Sequence, residues 1–255
     1  MNNFIFIRKN LLNWYLSNGV YFSISQLRKE KEAISHKTKE AYYDIIDENN
    51  HSYKGTVNSN STVSSNTLEE LKNELEKFDG CSLKRTAKNL VFADGNPESK
   101  IMLLGEAPGE EEDKISKPFV GLAGKLLDKM LAAIGQDRNN TYLSNIIFWR
   151  PPGNRNPTEE EISSCLPFVF KHLELVKPKI LILAGAIATK TILNKNNSGI
   201  IKMRGTWHDL EVGPSKIKIK TIPIYHPAFL LRQPARKREA WEDLKNIKRE
   251  IERIT

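Results

Sequence analysis

The 255-residue sequence predicts an α/β fold, a three-layer α/β/α arrangement with a four-stranded parallel sheet at its centre. Three observations carry this reading. Four short runs rich in Ile and Leu recur from residue 100 onward. Segments with the apolar spacing of helices stand between and after them. The strand-like runs are apolar on both sides rather than alternating, which marks strands covered on both faces, as in parallel sheets flanked by helices.

In chain order, Phe4, Ile7, Leu11, Leu12, Tyr15 and Leu16 form one apolar stripe ending near Gly19, and predict an N-terminal helical extension over residues 1–22. Residues 23–65 are polar, and "NNHSYKGTVNSNSTVSSN" has the composition of a disordered linker. The folded domain is expected over residues 66–255. Asn66 or Thr67 caps a helix with Leu68, Leu71, Leu75 and Phe78 on one face, stopped by Gly80. "KIMLLGE" is the first strand, and residues 121–134 a helix. "TYLSNIIFW" is the second strand. "TEEEISSCLPFVFKHLELV" follows as a helix opened by a capping box between Thr158 and Glu161. "PKILILAG" is the third strand, with a helix over Ala186 to Leu193. "IKTIPIYHP" is the fourth, and "RKREAWEDLKNIKREIERI" the last helix. No internal repeat is present.

Lys and Arg number 39 against 31 Asp and Glu, and a net charge of +8 favours a polyanionic partner such as nucleic acid. Two cysteines, Cys81 and Cys165, exclude a disulfide framework and a complete cysteine-ligated metal site, and suit a reducing compartment. No apolar run is long enough to span a bilayer. Arg8, Lys9 and Asn10 interrupt the apolar start, so a secretory signal is not expected and a cytoplasmic protein is.

Ligands of parallel sheets bind beyond the carboxyl ends of the strands. The turns of interest therefore follow Leu104, Trp149, Ala184 and Tyr225. In "GEAPG", Gly105 and Gly109 permit close backbone approach and Pro108 stiffens the turn. Glu106, Glu110, Glu111, Glu112 and Asp113 crowd this one turn of a basic chain, which argues against a phosphate cradle. Phe119 either stacks on a flat ring or belongs to the core. Asn145 offers an amide oxygen and an amide nitrogen, suited to a base edge. Arg150 and Arg155 flank a Pro-Pro-Gly-Asn loop and are placed to meet phosphates. His226 closes the fourth strand. Phe229, Leu230 and Leu231 then form a loop beside Arg232, Arg236, Lys237 and Arg238. Apolar side chains next to cations suit a wedge that enters a duplex while the cations hold its backbone. The alternative is an inward-packed loop with solvated charges. Each turn alone favours an ordinary structural role; the three together do not.

"GEAPGEEEDKISKPFVGLAGKLLDKML", "YLSNIIFWRPPGNRNPTEEEISSCLPFV" and "HPAFLLRQP" resemble, in order and spacing, the successive motifs of the type-four uracil-DNA glycosylases. The resemblance runs from Leu75 to Trp241, and Glu106 favours type four over type five, which usually lacks that acid. It implies a uracil-DNA glycosylase-like fold with a flat base pocket at the strand ends. Phe119 would stack on uracil and Asn145 would read its amide edge. His226 would approach the oxygen that gains charge. Glu106, with the turn backbone at Gly105 and Ala107, would place the attacking water, and Glu112 would buttress the pocket. Asn154 occupies another motif position. Arg150, Arg155, Arg232, Arg236 and Arg238 would meet DNA phosphates, with Leu230 and Leu231 as the wedge. The implied activity is that of a monofunctional, monomeric hydrolase initiating base excision repair on uracil-containing DNA, without membrane association. Two alternatives are a glycosylase for another deaminated base such as hypoxanthine, and a non-catalytic DNA-binding module. Intact Glu106, Asn145 and His226 argue against the module.

The chain departs from the family in three places. Relatives usually hold an iron–sulfur cluster on four cysteines. Cys81 and Cys165 match two of them, whereas Lys84 and Trp149 stand where the others would be. Two thiolates cannot supply such a site. No cluster or other cofactor is therefore expected: Cys81 and Cys165 are remnants, and Trp149 fills part of the volume. A cluster shared between chains is the less favoured alternative. Ser116 replaces a frequent glycine. "RQPARKREAW" lacks the histidine of relatives that trap DNA covalently, so ordinary turnover is expected.

Overall fold

The computed structural model describes residues 63–194 and 199–254, all within one compact unit, Thr56–Thr255. The helix expected over residues 4–22 and the linker over 23–62 lie outside the described residues. Val63 already packs against the core, and the buried Ser65 donates to Glu74 at 2.5 Å. The packed chain thus begins ahead of residue 66.

Among the described residues six strands form one sheet: β1 (Asp94–Gly95), β2 (Ile101–Gly105), β3 (Tyr142–Asn145), β4 (Ile180–Ala184), β5 (His208–Val212) and β6 (Ile217–Ile224). Their order is β1-β3-β2-β4-β6-β5. The inner four are parallel. The four expected parallel strands are present, and β1 and β5 widen the sheet with antiparallel edges that the sequence reading did not include. Neither edge carries an apolar run. β1 has two residues, and β5 (HDLEV) mixes polar residues with apolar ones. β2, β3 and β4 are buried throughout, as strands covered on both faces must be.

The helices are α1 (Leu68–Lys77), α2 (Glu110–Ile115), α3 (Leu122–Ala132), α4 (Glu159–Val176), α5 (Ala186–Leu193), α6 (Ile200–Met203), α7 (Pro227–Arg232) and α8 (Lys237–Ile254). The Thr67 hydroxyl caps α1 by accepting from the Glu70 amide at 3.1 Å. The expected capping box opens α4, with Thr158 and Glu161 each accepting from the other's backbone amide. On one face of the sheet, Met102, Leu104, Leu181 and Leu183 share a core with Leu71 and Leu75 of α1 and Phe168, Val169 and Leu173 of α4. The alternate residues Leu103, Ile182 and Ile222 are equally buried on the other face.

Two expected loops are short helices. The acids after Gly109 occupy α2 rather than a turn. Four carboxylates in its first turn suit the positive end of the helix dipole. Phe229 to Arg232 lie in α7, capped by His226, not in an open loop. The second strand ends at Asn145 instead of Trp149. Beyond it, Ile146 and Ile147 still donate to the carbonyls of Gly105 and Glu106, at 2.9 and 3.0 Å.

Candidate active site

The parallel register sets the site. Gly105 pairs with Asn145 at the ends of β2 and β3, and Ala184 with Ile224 at the ends of β4 and β6. Glu106 therefore leaves β2, Asn145 closes β3, and His226 stands two residues past β6, all at one edge of the sheet. Burial pushes the Glu106 carboxyl above the ordinary glutamate range, and the charge of Arg232 partly offsets this. Ala107 is half-buried beside it.

Gly105 is where the backbone, the Phe119 ring and the Asn145 amide converge. A Cβ there would overlap both Cζ of Phe119 and Oδ1 of Asn145, so only glycine admits the two side chains. Phe119 is 4% exposed and Asn145 3%. The Phe119 ring lies 6.0 Å from the His226 ring, their planes 29° apart. Phe119 has a positive φ of 55°, strained for a residue with a Cβ. Glu112 fixes the loop that carries it. One carboxylate oxygen of Glu112 accepts from the amides of Val120 and Gly121, at 2.9 and 2.8 Å, at the start of α3. Glu112, expected to buttress the pocket beside the catalytic groups, anchors the backbone of this loop.

His226 caps α7. Its Nδ1 accepts from the Ala228 amide at 3.1 Å, which leaves the ring proton on Nε2. Burial, aided by Arg232 and opposed by Glu112, holds the imidazole down at about 4. At neutral pH it is an uncharged N–H donor.

The wedge and the cations are sorted by helix phase and pairing. Pro227 and Leu230 are the buried positions of α7. Leu230 is 0% exposed and is core, a correction to its expected place in the wedge. Leu231, one residue on, turns out at 42%. Arg232 and Arg238 are exposed. Arg236 bonds Glu239 at 2.6 Å. Arg155 grips both oxygens of the buried Glu161, at 2.8 and 2.6 Å, so it secures α4 instead of waiting for a phosphate. Arg150 donates to Asn154 at 2.7 Å and lies 3.7 Å from Glu110. Asn154 is exposed in the turn Pro152–Asn154, where its side-chain oxygen accepts from Arg150.

Residues 92–245 match the family model of the uracil DNA glycosylase superfamily. This chain belongs to the uracil-DNA glycosylase superfamily. It is 39% identical over 186 residues to the type-4 uracil-DNA glycosylase of Sulfurisphaera tokodaii, covering 71% of this chain and 84% of that one. It is 37% identical to the type-4 enzyme of Archaeoglobus fulgidus, over 71% and 92% of the two chains. With that of Thermotoga maritima it shares 36%, over 71% and 93%.

Where the type-four resemblance implies a four-cysteine cluster, the side chains of this superfamily member do not fit one. Cys81 and Cys165 are buried free thiols. The hydrogen bond between them draws the Cys81 thiol down and pushes Cys165 up. Lys84 Nζ is committed to the Glu76 carbonyl at 2.7 Å and to Asp79 at 2.9 Å, closing the end of α1. Trp149 is buried edge-on against Phe148. Among the described residues no three His, Cys, Asp or Glu side chains gather to hold a metal ion. Nor is any helix among them long and apolar enough to cross a membrane.

Sequence reasoning missed Arg138. It lies between α3 and β3 and touches the Phe119 loop through its guanidinium. No motif flags a lone arginine there, because its partners are distant in sequence.

Proposed function

We propose that this chain removes uracil from DNA by hydrolysing the N-glycosidic bond, the first step of base excision repair. The observation that carries this reading is the convergence of Glu106, Asn145 and His226 at one sheet edge around the Phe119 ring. A base inside a duplex is out of reach of such a pocket, so the nucleotide is flipped outward first. Uracil stacks on Phe119, and the Asn145 amide pairs with its edge. As the C1′–N1 bond breaks, the bonding electrons move into uracil, and Nε2–H of His226 donates to the oxygen where charge collects. Being neutral, His226 stabilises that charge as a hydrogen-bond donor that keeps its proton. Water adds to the sugar carbon, oriented by the Glu106 carboxylate, whose charge also stabilises the cationic sugar. The water gives its hydroxyl to the sugar carbon, and its other proton finally neutralises the uracil anion, so the products are free uracil and an abasic site.

We further propose that the protein is a monomeric, cytoplasmic enzyme, and that it lacks the iron–sulfur cluster. Lys84 and Trp149 in place of two thiolates, and two buried free thiols, support the absence of the cluster. The deciding experiment is excision from defined oligonucleotides carrying uracil, hypoxanthine or mismatched thymine, with alkali cleaving abasic sites. Cleavage at uracil is the expected result. Cleavage confined to hypoxanthine would identify a different glycosylase, and none at any base a binding module.

A further inference from the structure

Phe119 is held from behind. Its carbonyl accepts a short hydrogen bond from Nη2 of Arg138, and the preceding carbonyl, of Pro118, accepts from Nη1 at 3.2 Å. The same guanidinium is clamped by Asp94 of β1 at 2.6 Å and by Asp128 of α3 at 3.0 Å. It thus joins an edge strand, a helix and the loop that carries the aromatic ring. Gly124 completes the seat: a Cβ there would overlap the Phe119 carbonyl, so the helix approaches that peptide only without a side chain. A residue with a Cβ takes a φ of 55° only when its surroundings hold it there. Two carbonyls in succession on one planar, always charged group do so.

We infer that Arg138 is a positioning residue for base recognition, setting the orientation of the Phe119 ring through the backbone of Pro118 and Phe119. It touches no substrate atom. It acts by keeping the ring against Gly105 and beside His226, where a flipped base would enter. This rests on the reading of Phe119 as the stacking platform for uracil. Asp94 is a second member of the device: the guanidinium and Lys117 both bond it, the latter at 3.2 Å. An open polar depression lined by Asp94, Asn96, Lys117 and Asn139 gives solvent access to Arg138 from outside.

The test is a double-mutant cycle in single-turnover excision from a uracil duplex. Arg138→Ala is expected to slow excision roughly 100-fold, the scale of a misplaced reacting partner. In a Phe119→Ala background the same change is expected to alter the rate by no more than about 2-fold, because a residue acting only through Phe119 has nothing left to position. Binding to product DNA, which carries an abasic site and no base, should stay unchanged. Guanidinium chloride at sub-denaturing concentration can enter through the depression. It should restore Arg138→Ala but not the double variant, with sodium chloride of equal ionic strength as control. If Arg138→Ala fails to fold, Asp94→Asn, which keeps the guanidinium and weakens its clamp, takes its place in the same cycle with a smaller loss. Equal losses in both backgrounds, or no loss in the unsubstituted one, would overturn the inference. If the unsubstituted protein leaves uracil in place, the glycosylase reading itself fails.

Discussion

The backbone amide of Ala228 donates to Nδ1 of His226 at 3.1 Å, so the helix that presents this histidine also selects its tautomer. With burial holding the ring at about 4, nitrogen NMR should show a neutral, Nε2-protonated imidazole across the neutral range. His226→Ala should slow single-turnover excision by roughly 100- to 1,000-fold, the usual cost of one donor to a developing oxyanion. A histidine titration near 6.5 that tracks His226 would contradict this picture.

Glu106 sets the acid limb of the pH–rate profile. Its pKa is raised by burial and lowered by Arg232, and in the proposed reaction its working form is the carboxylate. The rate should therefore fall as pH drops through a value above the ordinary 4.5. Arg232→Ala removes the lowering influence, so the limb should move to higher pH. The same variant should flatten the salt dependence of DNA binding, with a slope change of about one if Arg232 meets one phosphate. An unmoved acid limb would separate Glu106 from the rate-limiting chemistry.

Leu231 and Leu230 should behave as opposites. Leu231→Ala is expected to impair excision from duplex more than from single strands, since only the duplex needs a wedge. Leu230→Ala empties a core position and should cost about 2–5 kcal/mol of stability while affecting both substrates alike. Chemical denaturation together with rates on the two substrates distinguishes them.

Protein purified without oxygen should be colourless and contain far less than one iron per chain. Cys81→Ser and Cys165→Ser should keep most of the activity. Iron near four per chain, with loss of activity on cysteine replacement, would contradict the metal-free reading.

Ser116 ends α2 with a φ of 62°, in the left-handed region that favours glycine. Left-handed backbone costs an L-residue about 1–2 kcal/mol, part of which glycine returns as chain entropy. Ser116→Gly should raise the thermal midpoint by roughly 1–4 °C, for a net gain of about 1 kcal/mol or less. A lower midpoint would mean that the serine makes a compensating contact.

The strands of the inner sheet were legible because burial on both faces writes itself as an unbroken apolar run, as in Ile180–Ala184. The site residues were legible because parallel topology places Glu106, Asn145 and His226 at strand ends in chain order. Other features had no local signal. α2 and α7 have six residues each, too few for apolar periodicity to emerge. The phase of α7, which buries Leu230 and exposes Leu231, depends on where His226 caps it. The division of the acids into an exposed pair bonded to Lys114 and a buried pair bonded to backbone amides is likewise set by helix rotation. The pairing of Arg155 with Glu161, and of Arg138 with Asp94 and Asp128, is settled only once the chain is folded.

The two edge strands stop short. β1 pairs with β3 at Tyr142 and Leu143, while β3 runs on to Asn145. β5 pairs with β6 only as far as Thr221, while β6 runs on to Ile224. The sheet is therefore six strands wide at its amino side and tapers to four at its carboxyl side. With strands about 4.8 Å apart, the taper withdraws roughly one strand's width from each flank. The end of the sheet where Glu106, Asn145 and His226 stand is therefore built on the four parallel strands alone.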